Sequence, residues 1–179
     1  MVQLVKDKNL ALKAGNIAEV FPEADAICRE LKEKYEYESK GYQIAAPKGI
    51  EDIPKEGYAL HHYVDKSNNY FERINTRESY ILFLRKIENP DTAYYTLEVE
   101  PDGTVRQKRT EFNRQHQDIQ LAEQFLCSWQ KQLQRKLTSK DYELAAKSKK
   151  TRERELDEMC EKKIKINGGQ YGSNYLQMF

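Results

Sequence analysis

Apolar side chains recur along this chain with two different periods, and the switches between them outline its elements. After Pro22, the residues Ala24, Ile27, Cys28, Leu31 and Tyr35 follow at three- and four-residue intervals, the spacing of one helix face. A proline suits the first turn of such a helix, where its missing N–H has no partner to lose. Gly41, Pro47, Gly49 and Pro54 then break the pattern into a stretch too interrupted for a long element, with Tyr42–Ala45 readable as a short strand. Three strands are predicted next. Tyr80–Ile87 is apolar on both faces and suits a central strand, whereas Tyr94–Glu100 alternates Tyr95, Leu97 and Val99 with Thr96, Glu98 and Glu100. Pro101-Asp102-Gly103 is a strong turn signal, and Thr104–Arg109 returns to complete a hairpin.

The helical period resumes afterwards. Asp118 can cap a helix on which Ala122, Phe125, Leu126, Trp129, Leu133 and Leu137 form one apolar stripe. A second, far more polar helix is predicted from about Asp141 to Ile166, with only Ala145, Ala146, Leu156, Met159, Cys160 and Ile164 as apolar positions. A helix with so little to bury projects into solvent or packs on another chain or a polyanion. Asn167-Gly168-Gly169 ends it, and Tyr171, Tyr175, Leu176, Met178 and Phe179 make the tail a docking segment. These last features lead us to expect a homodimer. The fold class is α+β: a small antiparallel sheet around the 80–109 strands, covered by helices. Residues 1–137 form the domain and 138–179 a charged helix with a docked tail.

Composition narrows the function classes. The chain has 179 residues, enough for one domain with a real core, and 30 Lys+Arg against 29 Asp+Glu. No apolar run reaches the roughly 20 residues a membrane span needs. No secretory segment follows Met1, so a cytoplasmic protein is expected. Cys28, Cys127 and Cys160 are far apart and form no CxxC, which argues for reduced thiols rather than a zinc or redox centre. Neither GxxxxGK[ST] nor GxGxxG occurs, so no nucleotide cofactor and no metal are expected. The near-neutral total hides segregation. From Ile87 to Asp102 the charged residues are Glu88, Asp91, Glu98, Glu100 and Asp102, all acidic, while Arg106, Lys108, Arg109 and Arg114 follow with only Glu111 against them.

Candidate chemistry is confined to a few places. His61-His62 could supply an acid, a base or a ligand, but adjacent residues point apart, so one is expected packed and the other exposed. With a three-residue turn, Glu98 lies opposite Arg106 and Thr96 opposite Lys108. That alone accounts for them as cross-strand pairs; a bulge would change which residues face together. The functional alternative is that Glu98, a histidine and Arg85 converge into a carboxylate–imidazole–guanidinium cluster able to hold a phosphodiester and move protons. Val105–Gln115 is basic, with Arg106, Gln107, Arg109, Asn113 and Arg114 as phosphate or base contacts and Phe112 as its aromatic. Lys147–Arg154, with Lys149, Lys150 and Arg152, is the second basic footprint, and as plausible as a solvated helix face.

Five separated blocks carry a resemblance. ALHHYV (59–64), Tyr70–Ile74, YILFLRK (80–86), AYYTLEV (93–99) and RQKRTEFNR (106–114) resemble, in order, the pattern L-H-H-C-V…Y…I-x-F-[IL]-R-K…Y-T-L-E…Q-x-R-G-x-x-N of the PcfJ-like family. The similarity spans about Pro22 to Trp129. It places His61, His62, Arg85, Thr96, Glu98, Gln107, Arg109 and Asn113 on the family's polar signature. Tyr63 replaces its cysteine and Thr110 its glycine, which removes a thiol and makes the backbone less permissive.

The resemblance implies a protein of conjugative plasmids, integrative elements or phages. Its stand-alone relatives look like anti-CRISPR proteins acting on type II effector nucleases, one kind being associated with guide-RNA truncation. Three functions remain open at this point. The first is metal-free guide-RNA cleavage, with His61 or His62 and Glu98 moving protons, Arg85 and Arg109 holding phosphate, and Gln107 and Asn113 orienting the strand. The second is a non-enzymatic inhibitor blocking guide loading or DNA binding. The third is a nucleic-acid-binding accessory factor of conjugative transfer.

Overall fold

The computed structural model describes residues 17–61, 68–113 and 119–161. His62, Arg114, His116, Asp118 and the Gln170–Phe179 tail lie outside the described residues, as do the side chains of Asn113, Met159 and Cys160.

After a helical stretch at residues 17–20, α1 (Pro22–Tyr35) buries the face its spacing predicts: Ala24, Ile27, Cys28, Leu31 and Tyr35. Glu36 then turns extended, and β1 (Tyr37–Ser39) and β2 (Tyr42–Ala45) form a hairpin. Its two central residues, Lys40 and Gly41, have φ of 51° and 83°, the left-handed pair whose twist matches that of the flanking strands. The punctuated stretch that follows holds a helix after all, α2 (Asp52–Ala59). Pro54 sits in its first turn, where backbone N–H groups have no intrahelical acceptor, so the ring breaks nothing. Then come α3 (Asn68–Asn75), β3 (Tyr80–Lys86), β4 (Tyr95–Val99), β5 (Val105–Arg109), a 3-10 turn (Glu111–Asn113), α4 (Ile119–Leu133) and α5 (Ser139–Glu161).

All neighbouring strands pair antiparallel in the order β1-β2-β3-β4-β5, so β3 is the central strand its two apolar faces require. The register places Leu82, Leu84, Tyr95, Leu97 and Val99 on one face. There α4 closes the core: the Phe125 ring meets Tyr37 and Tyr42 at 5.7 and 5.6 Å, and Trp129 Nε1–H donates to the Tyr35 carbonyl at 2.8 Å. The opposite face carries Ile81, Phe83, Arg85, Thr96 and Glu98. Helices α2 and α3 reach it, and Phe21, just before α1, stacks its ring on Phe71 of α3. With both faces covered, the polar positions of β4 go inside with the apolar ones: Thr96 is 3% exposed and Glu98 2%.

The polar helix α5 does not stand away from the rest. Its inward stripe is Asp141, Ala145, Ser148, Arg152 and Glu155, at intervals of four and three. Asp141 accepts from the Thr138 N–H at 2.7 Å and its hydroxyl at 2.8 Å, tying down the residue before the helix, and pairs with Lys34 of α1 at 2.7 Å. One of the two reasons for expecting a second copy of the chain, a helix in need of a partner, is therefore met within the chain itself.

Candidate nucleic-acid interface

Arg85 leaves β3 on the helix-covered face and meets Glu56 of α2 there. The two side chains form a fork-to-fork pair, Nη1 to Oε1 at 2.7 Å and Nη2 to Oε2, with 10% and 5% of their surfaces exposed. The guanidinium also lies over the Phe83 ring, 5.0 Å from its centroid. Burial pushes the Glu56 carboxyl above its ordinary range, against the pull of the Arg85 hydrogen bonds and charge. A guanidinium whose two Nη groups grip an interior carboxylate is not presented to a phosphate outside.

Glu98 belongs to a different group on the same face. Its Oε1 accepts from Ser79 Oγ at 2.7 Å and from Arg106 and Arg73 at 3.3 Å each. Arg106 also pairs with Glu78 at 2.9 Å and Glu100 at 3.3 Å; Arg152 of α5 meets Glu100 at 2.8 Å, and Arg73 meets Glu155 at 3.3 Å. Arg73, Arg106 and Arg152 thus alternate with Glu78, Glu98, Glu100 and Glu155 in one network joining α3, β4, β5 and α5. Burial raises the Glu100 carboxyl, with Arg152 and Arg106 pulling the other way.

This geometry corrects several expectations. A bulge at Glu98/Val99 shifts the hairpin register, so Glu98 faces Gln107 and Thr96 faces Arg109, not Arg106 and Lys108. The extra residue is Arg106, which the bulge turns into the charged network. Arg106 is buried and Arg152 points inward to Glu100, so neither stands on the open surface that the sequence reading gave it. Arg85 and Glu98 share a face but not a site. Ile81 is the residue opposite Glu98, and Arg85 lies four positions further on, about 13 Å away at the usual rise per residue. His61 is at the surface. The carboxylate–imidazole–guanidinium cluster is therefore not assembled from His61, Glu98 and Arg85, and the polar side of the sheet on which it depended is sealed.

What the chain does expose is a different set. His61 ends α2 with φ of 51°, the left-handed position at which many helices terminate. Phe112, with φ of 53°, donates its backbone N–H to the Leu60 carbonyl at 3.0 Å, which ties the 3-10 turn to the end of α2. The imidazole and the Phe112 ring consequently stack at 4.9 Å and 21°, and the Tyr58 ring lies 6.4 Å from the imidazole at 26°. Phe112 is 53% exposed and Tyr58 37%. Glu111 Oε1 lies 3.9 Å from His61 Nδ1. On β5, half-buried Arg109 donates to Gln107 Oε1 at 2.6 Å, and Tyr70 of α3 donates to the same oxygen at 3.2 Å. Lys147, Lys149, Lys150 and Arg154 line the outer side of α5.

Phe112 was visible in the sequence as the aromatic within a basic segment. Tyr58, Glu56 and Arg73 carried no such signal. The nearest clue to Glu56 was an arginine inside the apolar run of β3, which demands a carboxylate without saying which of 29 acidic residues supplies it. Among the described residues no group of three or more His, Cys, Asp or Glu is arranged to hold a metal ion, and no helix is long and apolar enough to cross a membrane.

Residues 11–123, well over half the chain, match the PcfJ-like protein family. The stack joins two of its motif blocks, since His61 lies in ALHHYV and Phe112 in RQKRTEFNR. No curated protein and no solved structure matches. The charged helix α5 lies beyond the matched segment.

Proposed function

Because the chain belongs to the PcfJ-like family, we propose that it is a mobile-element protein that docks on RNA without cutting it, and that it acts as an anti-CRISPR inhibitor by engaging the guide RNA held by a type II effector nuclease. The mode of action and the target have separate supports. For the mode, the carrying observation is a division of side chains. Glu98 and Arg85, which proton transfer and phosphate stabilisation need at a solvent-reachable centre, are neutralised inside, whereas stacked rings and lysines stand at the surface. Base stacking and cation contacts are sufficient to hold a single strand. For the target, the support is the resemblance of stand-alone family members to anti-CRISPR proteins.

The test is an integrity gel and a DNA-cleavage assay on the same reaction. The protein, a type II effector and a labelled guide are incubated together, and Lys149→Glu/Lys150→Glu and Glu98→Gln are run alongside. Inhibition with a full-length guide, weakened by the double charge reversal, is the expected result. A shortened guide whose appearance depends on Glu98 overturns the docking mode in favour of cleavage. Binding to duplex DNA with no effect on any effector points instead to a conjugation accessory factor.

A further inference from the structure

We infer that the side-chain amide of Gln107 is a donor-only contact for a phosphate oxygen of the docked strand, and that it reads no base. The inference rests on the reading that the protein docks on RNA and names the group of that RNA which the sheet edge takes.

Gln107 is half-buried in the middle of β5, the last strand of the sheet. Two side chains hold its amide. Arg109 Nε donates to Gln107 Oε1 at 2.6 Å, and the Tyr70 hydroxyl donates to the same oxygen at 3.2 Å. A guanidinium has donors only, so the amide atom that faces it is the oxygen and the NH2 group is turned away. The tethers come from two elements, β5 and α3, which fixes the amide plane before a ligand arrives. Tyr70 and Arg109 have other contacts besides, so they act here as tethers and the ligand contact is the amide's own. The amide nitrogen meets no acceptor among the described residues. Unlike Glu98 Oε2, it is not a buried atom left without a partner, so it opens to the surface.

The saturated oxygen decides the ligand. An unrestrained glutamine amide recognises adenine by accepting from N6 and donating to N7 at once. Here both lone pairs of the oxygen are taken, so the amide can only donate. Among base edges, O6 and N7 of guanine set two acceptors side by side. A phosphate does so at every nucleotide, and its charge makes the hydrogen bond stronger. A contact of this kind positions a strand without reading its sequence.

The experiment is fluorescence anisotropy at about 0.15 M salt with labelled oligouridylate, oligoadenylate and an oligouridylate carrying one central guanosine. It uses the full chain and the variants Gln107→Glu, Gln107→Leu and Thr104→Glu, and each variant's thermal midpoint is read in parallel. A carboxylate still accepts from Arg109 and Tyr70, so Gln107→Glu should stay folded, whereas Gln107→Leu strands both donors and should melt lower. Both should weaken binding about tenfold or more, equally on all three oligomers, which a folding defect in one of them does not explain. Thr104→Glu puts the same charge on the exposed residue before β5, about 10 Å away, and should weaken binding less than about threefold. Binding that Gln107→Glu leaves unchanged, or that only the lower-melting Gln107→Leu loses, overturns the inference and leaves the docking reading standing. An equal loss in Thr104→Glu also overturns it, because added charge then accounts for the effect. A loss confined to the guanosine oligomer assigns the amide to a base and overturns the phosphate contact. A wild type that binds no RNA, free or effector-bound, overturns both readings.

Discussion

Breaking the Glu56–Arg85 pair from either side should have unequal costs. Both side chains are nearly sealed, at 5% and 10% exposure, and joined at both arms. Removing one partner of such a pair typically costs about 3–5 kcal/mol, because the other charge stays buried alone. The two survivors are not equivalent. A guanidinium cannot shed its proton in a protein, whereas the Glu56 carboxyl, already pushed upward by burial, can take one up. Glu56→Gln is therefore expected to cost the full ~3–5 kcal/mol. Arg85→Met is expected to cost less, roughly 2–3 kcal/mol near pH 7, and less still at about pH 5, where the carboxyl is neutralised more readily. For a chain of this size each kcal/mol moves the thermal midpoint by about 2–4 °C.

The double variant Glu56→Leu/Arg85→Met, with both charges gone, should return to within about 1–2 kcal/mol of the wild type. Trp129, the only tryptophan and 1% exposed, reports unfolding in urea by fluorescence. Single variants as stable as the wild type would refute the argument. So would a stable double variant that has lost RNA docking, since Arg85 would then have to reach the ligand.

Acid response and turn geometry give two more tests. Burial pushes the Asp141 carboxyl up, but hydrogen bonds from Lys34 and Thr138 outweigh it and hold it below its ordinary range, whereas burial leaves Glu100 above its own. A lowered carboxyl contributes stability that is lost as pH falls through its folded value; a raised one costs stability that acid relieves. The thermal midpoint should thus hold or rise from about pH 7 to 5 and fall below about pH 4, with Asp141→Asn flattening the acid limb; a steady fall from neutrality contradicts this. In the second test, Gly103→Ala should lose about 2–4 kcal/mol in urea denaturation, since φ is +86° and the added Cβ would lie 2.5 Å from Leu133 Cδ2. Gly41→Ala, with a φ of +83° and open space around it, should lose only about 1 kcal/mol; equal losses would show that the Leu133 contact is not closed.

The elements legible in advance were those announced by apolar periodicity. The α1 face, the two-sided β3 strand, the β4–β5 hairpin and the Trp129 stripe all follow from spacing. Two of the misreadings share one cause, polar residues inside. Alternation along β4 implies a wet face, but helices cover both sides, and Glu98 and Thr96 are buried with their partners. The stripe Asp141, Ala145, Ser148, Arg152 and Glu155 has helical spacing yet almost no hydrophobic signature, so α5 reads as a helix without a dock. Its attachment depends on Lys34, Glu100 and Arg73, residues 107, 52 and 82 positions away from their partners, which no local window connects. The candidate site was half visible. His61, Gln107, Arg109, Lys149 and Lys150 stand where contacts can be made, but the bulge that buries Arg106 and the left-handed turn that lifts Phe112 are backbone events without a motif.

The ionic underside of α5 also bears on how such a chain can be remodelled. A helix seated on grease leaves an oily scar when it is removed, and the scar aggregates. Here the vacated bed would consist of Glu100, Arg106 and Arg73, groups that water accepts readily. The helix lies beyond the segment that matches the family, and the bed it rests on is largely ionic. Its grip would be set by dissolved ions in the surrounding medium.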